Sequence, residues 1–342
     1  MQNRKGYLDV LRIVAISAVI MIHVSAAFVT NSNTLIGFTL GNIFDSVSRL
    51  GVPLFLMISG ALMLDENREF NIKKRILSLL IPLLCWSFLY AFDFFILSPV
   101  LKKEPINFVG FIQAFLIGHY HLWYMWAIIG LYLITPILRK FVKKENKKIV
   151  IYFIALSIIF SFTKPMITLL FEEINFLHNI EDTYLYILEN LNLDFLGGLT
   201  TYFLAGWLLS NLTFDKRKKI ICYVLGVISL ITIIVSTQIF PNQYNLTYSN
   251  SNIFVFFYST AVYMFIKESL MKDKKSNCII TRLSNLSFGV YLTHIFVLSV
   301  VSSVLPENPY FIPLIFLITI VISFIVSYTI SKIPIIKKTI KA

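Results

Sequence analysis

"LRIVAISAVIMIHV" occupies residues 11–24 and decides the fold. It is the middle of an apolar run from Tyr7 to Val29 that, as a helix, is long enough to cross the roughly 30 Å hydrocarbon core of a bilayer. Yet it carries Arg12 and His23, and a charge and an imidazole are costly inside lipid. Arg4 and Lys5 before the run give it the look of a signal peptide. The run exceeds the roughly 7–15 apolar residues such a leader uses, so it reads as a retained first span.

Working outward, the same composition holds along the chain. Its 342 residues are 57% hydrophobic and 14% charged, with a mean hydropathy of +0.77. Apolar runs of membrane-crossing length recur at about 7–29, 43–64, 75–98, 120–140, 149–171, 193–212, 219–240, 252–269, 284–305 and 310–332. Backbone groups in lipid must be satisfied within the segment, so continuous apolar runs imply helices. A membrane barrel would show alternating segments of about 10 residues instead. The expected fold is all-α: a polytopic membrane protein of about ten transmembrane helices, forming one unit over 1–342. No internal repeat is visible, which argues against an inverted-repeat transporter.

The net charge of +12 raises the possibility of nucleic acid, but its distribution argues for topology. Basic residues gather at the N-terminus, in "NREFNIKKR" (67–75), "RKFVKKENKK" (139–148), "DKRKK" (215–219) and "KESLMKDKKS" (267–276), and in the C-terminal tail. The alternate loops are uncharged ("TNSNTLIG", 30–37), acidic (171–190) or nearly neutral ("LPENP", 305–309), apart from Lys102 and Lys103. This is the positive-inside pattern and puts both termini in the cytoplasm. The long loop near 172–192 has the apolar-acidic pattern of a short interfacial helix. The three cysteines, Cys85, Cys222 and Cys278, have no metal-ligand or disulfide spacing, and no metal is expected.

Ionisable residues inside spans are candidate functional groups. Arg12 and His23 are eleven residues apart, so they share a helix face with about 16 Å between their heights. Arg12 lies near the cytoplasmic end, where Asp9 is within one turn, and His23 in the outer half. Snorkelling of Arg12 and packing of His23 are the bland alternatives. Arg49 in "SRLGVPLFLMISGALML" (48–64) comes near the depth of His23, and Pro53, Ser59 and Gly60 interrupt the same span. Lys73, Lys74 and Arg75 enter the third span; they serve topology, phosphate binding, or both. "GHYHLWYMW" (118–126) opens the fourth span and brings His121, Trp123 and Tyr124 as acceptor-side candidates, with His119 read as interfacial. In "SFGVYLTHIF" (287–296), Ser287, Tyr291 and His294 share one face. No phosphate-binding Gly loop, HExxH or paired catalytic carboxylates occur.

These residues carry a family resemblance. "LDVLRIVAISAVIMIHV", with its Arg followed eleven residues later by His, resembles the opening of the acyltransferase-3 membrane family. "SRLGVPLFLMISGALML", "KKRILSLLIP" (73–82), "HLWYMWAIIGLYLITPIL" (121–138), "YFLAGWLL" (202–209) and "SFGVYLTHIF" follow in the family's order over essentially the whole chain. The "SR…VPLF…MISG" segment is similar to the stand-alone branch that includes the enterobacterial common antigen O-acetyltransferase. The resemblance implies acyl transfer, usually acetyl from acetyl-CoA, to a hydroxyl of a cell-envelope glycan or glycolipid, in a bacterial inner or plasma membrane. Under it, Arg12 and His23 match the motif arginine and histidine, and Arg12, Lys73, Lys74 and Arg75 would bind the donor's phosphates. Family members often carry a second arginine three residues beyond the one matching Arg75. Here that position is Ser78, which leaves Lys73 or Lys74 to stand in, without the planar fork of Arg.

The mechanism so implied has His23 as general base on the acceptor hydroxyl, with an acyl-His intermediate as the variant. Arg49, Tyr291 or His294 would stabilise the oxyanion. A transporter of lipid-linked sugar, using Arg12 and His23 as a relay, is the reading from another class, and a sensor module a third. The expected partners are the acceptor and membrane lipids, without nucleic acid; monomer and homo-oligomer both stay open.

Overall fold

The computed structural model describes residues 5–191, 193, 197–270, 277–334 and 339–340. Among them every regular element is helical. The first span is α1 (Gly6–Asn31), and the second is split into α2 (Leu35–Ser48) and α3 (Gly51–Met63). The third runs from α4 (Ile72–Phe92) through a π-helical turn into α5 (Ser98–Lys102). α6 (Phe108–Ile117) and α7 (Trp123–Phe141) form the fourth, joined where the Trp126 indole N–H donates to the Ile117 carbonyl at 2.9 Å. The fifth joins α8 (Lys147–Ser157) to α9 (Lys164–Glu173) through a second π-helical turn. α10 (Asn175–Asn190) follows, the helix expected on the long loop, and then α11 (Gly198–Asn211). The rest comprises α12 (Lys216–Ile239), a single turn α13 (Tyr244–Thr247), α14 (Ile253–Leu270), α15 (Cys278–Val304) and α16 (Ile312–Lys332).

Nine of these units, among the described residues, are long and apolar enough to cross a membrane. They correspond to nine of the ten expected spans. The exception is the expected sixth span, 193–212, of which residues 194–196 lie outside the described set. Its helix α11 has 14 residues, about 21 Å at 1.5 Å per residue. Ten of those residues are buried, so α11 meets protein over most of its surface.

α1 sits at the centre, packed on α2, α3, α14, α15 and α16. α11 lies against α3 with backbones nearly touching: a methyl added at Gly60 would overlap the Phe203 carbonyl, and one at Gly206 the Met57 carbonyl. Reciprocal glycines are how helices approach this closely where no water drives association. The charged groups knit one end of the bundle. The buried Lys267 ammonium donates to the Leu209 carbonyl in the last turn of α11 and to the Leu212 carbonyl just beyond it, each at 2.6 Å, satisfying acceptors that a helix end leaves orphaned. Lys147 reaches the Asn211 carbonyl at 3.2 Å, and Lys219 pairs with Glu268 at 2.5 Å. The described parts of the basic loops foreseen from sequence therefore gather together; residues 1–4, 271–276, 335–338 and 341–342 lie outside the described set.

Candidate active site

Two compartments lie along the shared faces of α1 and α15. The first is a cavity of about 540 Å³ at the basic end. Arg12, Arg68 and Arg75 line it, with Ser59, Tyr132, Ser284, Asn285 and Ser287 among its polar groups. Local sequence sets each arginine. Arg12 stands one turn beyond Asp9, whose carboxylate is 3.9 Å away and accepts a 2.7 Å hydrogen bond from Ser284 of α15. Arg75 sits in the first turn of α4, which begins where Asn71 Oδ1 accepts from the Lys74 N–H at 3.0 Å. Arg68 comes from the connection between α3 and α4. Three guanidinium groups around one cavity, beside a helix N-terminus, make it a place for an anion.

The second compartment is a cluster of four imidazoles at the far ends of the same faces. His23 lies 5.2 Å from His294 and 6.5 Å from His121 between ring centroids, and His121 lies 5.3 Å from His294. His119 joins through a 2.9 Å Nδ1–Nδ1 contact to His121. His294 Nδ1 is 2.6 Å from the Tyr291 carbonyl, so it carries the proton and donates. Its Nε2 is then an acceptor, and that atom is buried without a partner among the described residues, as is His121 Nε2. Orphaned buried polar atoms are uncommon in folded proteins; here two belong to rings that neighbour the imidazole of α1. The Tyr120 hydroxyl lies 3.5 Å from His23 Nδ1. Tyr90 of α4 closes one side, stacked on His119 at 4.5 Å and on Phe296 at 4.0 Å, its hydroxyl donating to the Leu292 carbonyl.

Tyr124 and Tyr291 stand between the compartments. Both line the arginine cavity, with their rings edge to face at 5.9 Å. The Tyr291 hydroxyl donates to the His121 carbonyl at 2.6 Å. α15 thus presents Ser284 and Ser287 to the cavity, Tyr291 at the boundary and His294 to the cluster.

Arg49 occupies the break between α2 and α3. It pairs with the fully buried Asp45 and packs over the Tyr248 ring at 4.0 Å. Non-helical backbone at membrane depth is tolerated where protein surrounds it. Here Asn42, Ser46 and Tyr248 do so: Asn42 Oδ1 accepts from the Tyr248 hydroxyl at 2.7 Å and from Ser46 at 2.9 Å.

A family model described as an acyltransferase domain matches residues 5–332. The chain belongs to the acyltransferase-3 family. Comparison with curated proteins and with solved structures gives no match. The family and the nine membrane-length apolar helices among the described residues together make the protein a multi-pass membrane acyltransferase.

Within this acyltransferase, the residues singled out from sequence distribute unevenly. Arg12 and Arg75 meet in the cavity; His23, His121 and His294 meet in the cluster; Tyr124 and Tyr291 separate the two. Lys73 and Lys74 are exposed and outside the cavity lining, because they turn away from the face of α4 that Arg75 and Leu79 share. Trp123 is 43% exposed, with its ring 6.4 Å from that of Tyr124, in the manner of an interfacial anchor. His119, read as interfacial, is part of the cluster. Arg68, Tyr90 and Tyr120 were not foreseen. Loop arginines read as topology signals and membrane tyrosines as belt residues, so no local signal marks them.

Proposed function

We propose that this protein transfers an acyl group, acetyl in the simplest case, from a cytoplasmic coenzyme A thioester to a hydroxyl of a cell-envelope glycan or glycolipid. The observation that carries the proposal is the pairing of a basic cavity with an imidazole cluster on common faces of α1 and α15. An acyl donor bearing phosphates needs the first, and a hydroxyl nucleophile needs the second. A transporter of a lipid-linked sugar would use the anion cavity for the linking phosphate, but it has no comparable use for the imidazole cluster.

In this reading Arg12 and Arg75 hold the donor's phosphates through charge-assisted hydrogen bonds. The pantetheine arm, with a reach of about 20 Å in extended form, spans the roughly 16 Å of helix between Arg12 and His23. Tyr124 and Tyr291 lie across that path, so they turn aside when the thioester advances. His23 accepts the proton of the acceptor hydroxyl as its oxygen attacks the thioester carbonyl. The C–O bond forms, the C–S bond breaks, and the departing thiolate takes the proton from His23. Tyr120 is a hydroxyl donor for the oxyanion and Arg49 supplies positive potential. His294 is unsuited to that task, since its Nδ1 proton is engaged by the Tyr291 carbonyl. Its bare Nε2 suits a hydroxyl of the acceptor instead.

The similarity of "SR…VPLF…MISG" to the stand-alone branch favours a lipid-linked or polymeric sugar as acceptor. Mass spectrometry of envelope glycans from cells with and without the gene tests the assignment. An acyl substituent present only with the gene supports it; identical glycans in both contradict it.

A further inference from the structure

The family pattern places a second arginine where this chain has Ser78, and the lysines expected to stand in for it point away from the cavity. We infer that Arg68, from the α3–α4 connection, is the second arm of the donor-phosphate clamp opposite Arg75, and that Arg139 of α7 holds it there. The inference rests on the donor reading above.

The geometry comes from an ordered loop. Residues 64–71 contain no helix or strand, yet three contacts fix their course. Asp65 Oδ1 accepts from the Asn67 N–H at 3.1 Å, and the Arg68 N–H donates to the Asp65 carbonyl at 3.1 Å, closing a turn. Arg139 then inserts one guanidinium nitrogen among the loop's carbonyls, at 2.9 Å from Asp65 O and 2.7 Å from Arg68 O. Its guanidinium lies 5.7 Å over the Phe70 ring, which in turn meets the cavity-lining Tyr132. Arg139 sits at the cytoplasmic end of α7, where it would otherwise pass for a topology charge.

The loop so held delivers Arg68 to the rim where two cavities meet. The 540 Å³ cavity and an adjoining one of about 400 Å³ share Leu62, Met63, Arg68 and Arg75. The side annex is closed by Asn67, Glu69 and Phe70. Arg68 and Arg75 therefore flank the passage, while Arg12 stands deeper. A donor carrying several phosphates along its length meets the arginines in turn. The Arg68 side chain has Asp65 as an ion-pair partner at 3.6 Å, with about a quarter of each exposed. A pair that loose is worth little and leaves guanidinium donors for an incoming phosphate.

The test is calorimetric binding of coenzyme A to the full-length protein in nanodiscs. Wild type binds, Arg12→Ala does not, and Arg68→Ala binds at least about tenfold more weakly, the scale of one charge-assisted hydrogen bond lost. Arg68→Lys recovers part of the loss, since charge returns without the planar fork. Arg139→Gln weakens binding in the wild-type background but adds no further loss to Arg68→Ala, because its effect passes through Arg68. A merely structural Arg139 would weaken both. Arg68→Ala binding as wild type does, with the loss falling instead on Lys73→Ala or Lys74→Ala, overturns the inference and spares the donor reading. No binding by wild type overturns both.

Discussion

His23 bears the largest single burden. Its imidazole is the one in the cluster that lies on the same helix as a cavity arginine, and it neighbours two rings whose Nε2 atoms have no partner among the described residues. Replacing it with Ala should lower turnover by about 10²–10⁴-fold, the usual contribution of a general base, while coenzyme A affinity stays near wild type. Tyr120→Phe should lower kcat by about tenfold with little change in donor KM, as loss of one hydroxyl contact in the transition state implies; a larger effect on KM than on kcat would assign Tyr120 to binding. At this scale the sequence was most informative where chemistry clashed with surroundings. Arg12, His23 and Arg49 stand out because charge and imidazole are rare in apolar runs. Tyr90, His119 and Tyr120 do not, because at a membrane boundary aromatic and amphipathic rings are ordinary. Arg68 was hidden among loop charges that serve topology equally well.

At the scale of elements, the break between α2 and α3 and the crossing of α3 with α11 shape the surroundings of the site. The break sets Arg49 on Asp45 and the Tyr248 ring; the crossing holds α3, and so Ser59, against the cavity. Gly206→Val should destabilise the fold by about 1–3 kcal/mol or more, the range for overpacking, since its side chain would meet the Met57 backbone rather than a movable group. A thermal melt of the purified protein, followed by near-ultraviolet dichroism, measures this; a melting temperature equal to wild type would refute so tight a crossing. Hydropathy marks each of the nine spans found among the described residues. At 193–212 an apolar run does not say whether protein or lipid covers it; α11 is mostly buried in the bundle. Gly60 is visible in the sequence as an interruption of its span. Its partner Gly206 emerges only from the packed structure, as helix contacts over such separation leave no local trace.

For the whole molecule, the distribution of charge governs orientation. Arg139, Lys147, Lys219 and Lys267 all make contacts at one end of the bundle, and the arginine cavity opens among them. If that end is cytoplasmic, the donor is reached from the compartment that contains it, and His23 faces the envelope. In a background without native cysteines, Asn33→Cys and Glu307→Cys should react with a membrane-impermeant maleimide in intact cells, and Lys218→Cys only after lysis. All three positions are exposed, so reversed labelling would overturn the orientation. The order of motifs along the chain made the family legible before any geometry was known. The paired compartments, and the tyrosines between them, emerge only when α1, α7 and α15 are brought together.

The most direct measurement is release of free thiol from acetyl-CoA by purified wild type and His23→Ala, with coenzyme A binding measured on the same preparations. The account predicts slow thiol release by wild type, accelerated by the hydroxyl acceptor, and none above background from His23→Ala, with both proteins binding coenzyme A alike. Thiol release by His23→Ala at the wild-type rate, or no coenzyme A binding by either, would contradict it.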